Sequence, residues 1–538
     1  MKLTFLLSAI LSLPSLAFID LKVPSMEEDF FQMKSLPLKT EFKIIEVDGI
    51  PTYRIEYITL SYQPQTIQKS MIRLVDEVTL EKETYIQEGK VKTLLEKYNY
   101  DKESEQLTHI DSYNDSNQVI TRKMNSPLDL MPIEIHYSYE SKREKKAFAF
   151  DVFVRDTNKL LYHYDQNKVF DLKTAYPQSS QSELDKKLKN LRNSKRLKVA
   201  LIDSGLDHHH PALAEKLAIN FNDPIDGIDN DQNGFVDDYI GLQALSGVGF
   251  PLESIRPDRE IYPLSHGTHV GHIMVSGVSN VALFPFVGEY GEAYFLKQIS
   301  DKITDEKIDF VNMSFSFPHW SLQDIPKKTF MNLKFMILKN KETLFFAAAG
   351  NDYQRVIHYG RNGVYPASFP MENILTVGAL NTATFSKDDA HTYNVADYSN
   401  ISNLVVDIFA PGTDILAASL GGGLIKHSGT SMATPWMVNQ SIKLKKTYPE
   451  LTNRQIRDLF LYTAYIPNID EPLPCSSGGM VFPTRAHALA KRFLKNKTKS
   501  IKELALEMRA QKELLLQGEE SNANYLEKLQ TLWKMRLL

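Results

Sequence analysis

A single cysteine in 538 residues, Cys475, rules out an internal disulfide and any cysteine-only zinc site. An excess of one charge is missing as well. The 62 Lys and Arg nearly balance 66 Asp and Glu, and a net charge of −4 steers the chain toward neither nucleic acid nor an anionic membrane. Lysine clusters such as Lys186-Lys187 and Lys443 to Lys446 read as solvated helix faces. After the first residues no stretch has the length and freedom from charge of a membrane-spanning helix. What is present is core material: 43% hydrophobic against 24% charged residues is a globular balance, and the length asks for two or three domains.

The first residues read as an address. Met1-Lys2 is positive, Leu3 to Leu13 is apolar, and Ser15-Leu16-Ala17 places small residues where a signal peptidase reads. Cleavage after Ala17 gives a signal peptide over 1–17 and an exported product, periplasmic or secreted, with no stable membrane insertion afterwards. No cysteine stands at the cleavage position to take a lipid.

Three short segments carry the chemistry. Gly429-Thr430-Ser431-Met432-Ala433-Thr434-Pro435 sets a serine among small residues, with a proline suited to a first helical turn. Ser431 would then lie at a helix N-terminus, near free backbone N–H groups. Lys198 to Ile202 followed by Asp203-Ser204-Gly205 reads as a buried parallel strand with a carboxylate at its C-terminal edge, where open α/β sheets gather their active groups. His266-Gly267-Thr268-His269-Val270-Gly271, followed by Ile273-Met274-Val275, opens a buried helix with a histidine. Each segment alone fits an ordinary cap or turn. Together they supply carboxylate, base and nucleophile in the order Asp203, His266, Ser431, the set a serine needs to become nucleophilic.

In that order and in those motifs the chain resembles the subtilisin-like serine proteases, the subtilases. The resemblance runs from about Leu197 to Ala490. It includes Phe345 to Asp352, whose Asn351 is implied as an oxyanion donor beside the Ser431 amide, and Val311 to Phe315, implied to pair with substrate backbone. Losing one such oxyanion donor costs roughly 3–4 kcal/mol of barrier in subtilisin itself. Tyr365-Pro366-Ala367-Ser368, Phe409 to Thr413 and the helical stretch Leu451 to Ala464 also follow the family pattern. The fold implied is α/β: a mainly parallel sheet flanked by helices over 197–490. The substrate-binding set implied is Ser314, Phe315, Ser316, Ala348, Gly350 and Val364. Two departures concern that set: Ser316 and Val364 stand where the family often has glycine, which implies a shallow pocket for small or modest P1 side chains. A third places Gly271-His272 where Ala-Gly is usual, and a local adjustment of the helix is expected. Activity on protein or peptide substrates is implied; a catalytically silent, binding or adhesion relative is the alternative. In the acid-active sedolisins a glutamate would replace His266.

An exported chain without disulfides has use for calcium. Asp226 to Asp238 spaces oxygen ligands as Asp-x-Asp-x-Asn-Gly and then Asp, so Asp229, Asp231, Asn233 and Asp237 are the expected ligands. The terminal Glu of an EF-hand loop is absent, Ile240 standing in its place, and an acidic surface loop is the other reading. Asp207-His208-His209-His210 reads as structural, because three consecutive imidazoles cannot face one ion. Residues 18–178 alternate as strands, for example Phe42, Ile44, Val47-Asp48-Gly49-Ile50 and Tyr53, with Asp-Gly as a hairpin turn. This β-rich domain is expected to be a propeptide that inhibits the protease; a retained adhesion or recognition module is the alternative. Residues 179–196 read as an exposed linker or short helix where self-processing falls. Residues 491–538 read as two amphipathic helices broken near Gly518, docked on the protease or offered to a partner.

Overall fold

The structure, a computed structural model, describes residues 39–537 except 48–49, 63–64, 74–77, 89–90, 101–106, 115, 117, 126–131, 140, 142–148, 155–158, 166–169, 225, 227, 244–265, 288–292, 319–326, 359–361, 382–393, 421–422, 497 and 512–522. The expected signal peptide therefore lies outside the described residues, as do Gly518 and Leu514-Leu515 of the expected C-terminal helices. The chain divides into two compact units, the first ending at Asp165 and the second taking up most of the remainder.

The first unit is one ten-stranded antiparallel sheet in which every strand pairs only with its sequence neighbours. Its strands are β1 (Lys39–Val47), β2 (Ile50–Tyr62), β3 (Gln65–Arg73), β4 (Val78–Glu88), β5 (Val91–Tyr100), β6 (Leu107–Tyr113), β7 (Val119–Asn125), β8 (Pro132–Ser138), β9 (Ala149–Val154) and β10 (Lys159–Asp165). Val47 pairs with Ile50, so only Asp48 and Gly49 connect β1 to β2, although these two lie outside the described residues. Aromatic and β-branched residues suit a pleated face, and Tyr85, Tyr98, Ile110, Val119, Ile135 and Tyr137 are all buried. Among them Arg122 grips Asp111 through two hydrogen bonds, 2.6 and 2.8 Å, both side chains being buried. Removing either partner would strand a buried charge, at a cost of about 3–5 kcal/mol.

The second unit begins with a short helix, α1 (Leu172–Ala175), and then α2 (Gln181–Leu191). The sequence starts α2 with a capping box: Ser180 N–H donates to the Glu183 carboxylate at 2.8 Å. Leu184 and Leu191 are buried, and the Arg196 guanidinium donates to the carbonyls of Leu191, Leu217 and Val281 at 2.8–3.0 Å. The stretch 179–196 is thus a packed helix with an exposed turn, and the division between units falls upstream of the expected residue 178.

Seven parallel strands follow, in the spatial order β12-β13-β11-β14-β16-β18-β19. They are β11 (Leu197–Asp203), β12 (Leu242–Gln243), β13 (Val281–Val287), β14 (Phe310–Met313), β16 (Leu344–Ala348), β18 (Ile374–Leu380) and β19 (Ile408–Pro411); the short β15 (Phe317–Pro318) pairs antiparallel with β17 (Val364–Tyr365). A sheet covered on both faces needs continuous apolar runs rather than alternation, and β14, β16 and β18 are buried throughout. Val199 and Leu201 face one layer, with α3 (His266–Val275), α6 (Thr430–Thr447), α7 (Asn453–Thr463) and α8 (Pro483–Lys495). Ala200 and Ile202 face the other, with α4 (Ala293–Glu306) and α5 (Lys327–Lys339). The C-terminal α9 (Ile501–Ala510) and α10 (Ala523–Arg536) join the first layer through Leu504, Met508, Leu529, Leu532 and the fully buried Trp533. Arg509 fastens them, donating to Tyr525 Oη at 2.9 Å and to the Ala464 carbonyl at 2.7 Å. Among the described residues no helix is long and apolar enough to cross a membrane.

Candidate active site

Asp203 is the last residue of β11, and its strand delivers it, nearly fully buried, to the C-terminal edge of the sheet. Its Oδ1 accepts the Ser204 N–H at 2.8 Å and meets His266 Nδ1 at 2.7 Å. His266 is the first residue of α3, and its side chain is 41% exposed. The seat of α3 depends on Gly267: a Cβ there would stand 2.0 Å from the Gly205 carbonyl oxygen. Gly267 N–H also donates to Ser204 Oγ at 3.1 Å, so the His-Gly backbone is tied to the side chain of the Asp-Ser-Gly segment.

Ser431 is the second residue of α6, and Gly429 precedes the helix. Its hydroxyl donates to the Ser314 carbonyl at 3.2 Å, while Ser314 Oγ donates back to the Ser431 carbonyl at 2.9 Å. Asn351 follows β16. Its Oδ1 accepts both the N–H and the hydroxyl of Thr430, each at 2.9 Å, which leaves its Nδ2 as the end that can donate outward. A Cβ built on Gly429 would lie 3.3 Å from Asn351 Nδ2 and 3.6 Å from Ser431 N, so these two donors border one small space. Gly350 has φ +96°, and a Cβ there would come within 2.4 Å of Asn400 Nδ2. Only glycine lets the chain turn here beneath Asn351.

The expected substrate-binding residues gather on neighbouring elements. Met313 pairs with Ala347, so Ser314-Phe315-Ser316 and Ala348 to Gly350 leave the same edge of adjacent strands. Ser314 and Ala348 are buried, Phe315 and Ser316 half-buried. Val364 is buried in β17, opposite Pro318 of β15. Residues that sequence reasoning passed over hold this arrangement: Thr430, whose Oγ1 also receives Gly350 N–H at 3.2 Å, Asn312, whose Nδ2 donates to Ser314 Oγ at 2.9 Å, and Asn400. Asn400 donates to the Ala349 carbonyl and accepts from Asp352 and Gln354 N–H. Thr430 stood inside a recognised motif; the apolar company of Asn312 was a usable signal, while Asn400 had none.

Residues 194–503, more than half of the chain, match the Subtilase family, Peptidase S8. The chain belongs to the subtilase family. It has the subtilisin-like α/β fold, with a β-rich N-terminal region and C-terminal helices. Subtilisin-like protease 1 of Plasmodium berghei (strain Anka) is 26% identical over 286 residues, 48% of this chain and 44% of that protein. The intracellular serine protease of Paenibacillus polymyxa is 25% identical over 315 residues, 56% of this chain and 84% of that protein. Subtilisin NAT of Bacillus subtilis subsp. natto is 26% identical over 294 residues, 51% of this chain and 61% of that protein. The match spans less than half the length of the Plasmodium relative.

Where other subtilases often have glycine, His272 is accommodated by a hydrogen bond: its Nδ1 accepts the Ala418 N–H at 3.0 Å. His209 Nε2 accepts Asp171 N–H and its ring stacks on Phe170, in keeping with a structural part for the histidine run. The acidic loop is only partly gathered. Asp229 accepts the N–H groups of Asn233 and Gly234, Asp231 that of Asn233, and Asn233 that of Phe235, at 2.8–3.2 Å. Asp237 is buried and accepts the Asp226 N–H at 2.9 Å. Among the described residues no three His, Cys, Asp or Glu side chains are grouped to hold a metal ion. The donors are chemically right for calcium, all hard oxygens, and these hydrogen bonds join several of them to the loop's own amides.

Proposed function

We propose that this subtilase is an exported serine endopeptidase, made as a zymogen, that cleaves proteins or peptides through an acyl-enzyme. The observation that carries the reading is the 2.7 Å contact between His266 Nδ1 and the buried Asp203 carboxylate, at the sheet edge that the Asn351 segment also leaves and where the Ser431 hydroxyl meets the Ser314 carbonyl. Asp203 keeps the proton on Nδ1 and stabilises the cation, so that Nε2 is the basic nitrogen. Ser431 Oγ, released from the Ser314 carbonyl by rotation about its Cα–Cβ bond, attacks the scissile carbonyl as His266 takes its proton. The imidazolium then returns that proton to the leaving amine. Asn351 Nδ2 and the Ser431 N–H receive the oxyanion. Substrate backbone runs along Ser314 to Ser316 and Ala348 to Gly350, and the bulk of Ser316 and Val364 favours small P1 side chains.

The N-terminal sheet is assigned as the inhibitor of the same chain, and self-processing to residues 179–196. Arg192 to Lys195, an exposed turn after α2, is the part of that stretch open to attack. A calcium ion at the 226–238 loop belongs to the proposal on donor chemistry alone, and no catalytic step depends on it.

A fluorophosphonate probe tests the assignment. Wild type should be labelled on a band shortened by the N-terminal unit, and Ser431→Ala should be unlabelled and full length. Labelling or turnover retained in Ser431→Ala would refute it.

A further inference from the structure

Between the proposed base and the proposed nucleophile lies a hairpin, β20 (Ile415–Ala418) with β21 (Leu424–His427), in which Ile415 pairs with His427. Three residues, Ser428 to Thr430, separate its end from Ser431. Its base is tied to that turn: Gly429 N–H donates to the Gly412 carbonyl at 2.8 Å and Asp414 N–H to Ser428 Oγ at 2.9 Å. The hairpin is also tied sideways to α3, the helix that His266 opens. His269 Nε2 stands 3.0 Å from the carbonyls of both Ile415 and Ile425, which requires the proton on that nitrogen. Ala418 N–H is received by His272 Nδ1. Ala418 is fully buried, and its N–H is satisfied by the His272 ring.

We propose that His272 is a positioning residue for the nucleophile, joining the helix that opens with His266 to the hairpin that leads into Ser431, so that the two move as one piece. The inference rests on the endopeptidase reading above and deepens it. Ser314 to Ser316 and Val364 lie on other elements, so loss of the tie affects the placement of Ser431 and its N–H rather than the binding of substrate. Small misplacements at this distance from the reacting atoms reduce rates steeply; about 1 Å is enough for a hundred-fold loss.

The test compares wild type, His272→Ala and His272→Asn. Asparagine offers Oδ1 near the place of the imidazole Nδ1 and can accept the same N–H. Steady-state hydrolysis of a peptide substrate should show kcat down about ten-fold or more in His272→Ala with KM little changed, and recovered in His272→Asn. In parallel, deuterium uptake across 412–431, in a Ser431→Ala background to prevent self-digestion, should rise in the alanine variant and return in the asparagine variant. An alanine variant with wild-type kcat and uptake overturns the proposal, as does an asparagine variant no better than alanine. If His272→Ala fails to fold, the asparagine variant decides alone, by wild-type or raised uptake. An inactive wild type with the expected uptake pattern would sink the endopeptidase reading and leave the tie standing; with that reading gone, the positioning part falls too.

Discussion

Mild acid should weaken this fold well before its carboxylates titrate. His269 is fully buried, and burial together with His427 and His266 pushes its pKa down to about 3. Burial and then His210 push His272 down to about 4. In an unfolded chain both rings titrate near 6.5. Below that pH the unfolded chain gains protons that the folded one refuses, so stability is complete above 6.5 and falls as pH drops toward the folded values. Each ring contributes about 1.4 kcal/mol per pH unit within the window. Because the slope builds up only as the unfolded rings take protons, two rings between about pH 6.5 and 5 amount to about 3 kcal/mol, against a typical total of about 5–15. His210 and His427, also lowered by burial, steepen the same fall. Asp238, Asp309 and Asp458 are raised by burial and pull the other way, toward stability in acid. Guanidinium unfolding of the Ser431→Ala protein at several pH values reads the outcome. Equal midpoints at about pH 6.5 and 5 would refute the reasoning, because they would mean that the rings take protons in the folded state as easily as in the unfolded one. His272→Asn should remove a substantial part of the slope.

Two further tests address the site and the loop. Gly267→Ala forces a Cβ to within 2.0 Å of the Gly205 carbonyl, so the first turn of α3 must lift and take His266 from Asp203; kcat should fall about a hundred-fold, and a variant with near-normal kcat would show that the close approach is dispensable. Calcium should raise the thermal midpoint of the wild type and not that of Asp229→Asn; identical melting in calcium and in chelator would assign the 226–238 loop to closure by its own amides.

How far the sequence could be read depended on whether a residue announced its own environment. The apolar run ending at Asp203 could only be a buried strand with a carboxylate at its edge, and Gly429 to Pro435 could only be a tight entry to a helix. The residues that brace these motifs from a distance carried no such mark. Asn400 lies 49 positions beyond Asn351 and 31 before Ser431, and only the folded sheet reveals that it supports the turn at Gly350. The polar stretch 179–196 reads as an exposed linker or short helix and is mostly exposed, but Leu184 and Leu191 on one face of α2, with Arg196 just beyond it, are enough to fasten it. In the acidic loop the spacing named the right kind of oxygens but could not say that Asp237 would turn to the Asp226 amide. His272 looked like a side chain in need of room; its partner, 146 residues away in β20, is visible only after folding.

The place of Trp533, 102 residues beyond Ser431 in the chain, has a temporal consequence. The N-terminal sheet pairs each strand with its predecessor, so its contacts can form as synthesis proceeds. The second unit cannot do this. Its sheet interleaves strands far apart in sequence, and its largest fully buried side chain, Trp533, is made after every strand of that sheet. During synthesis from the N-terminus, the helix layer beneath Ser431 is complete only once α10 has been made, and a chain cut short before Trp533 lacks the closing piece of its core.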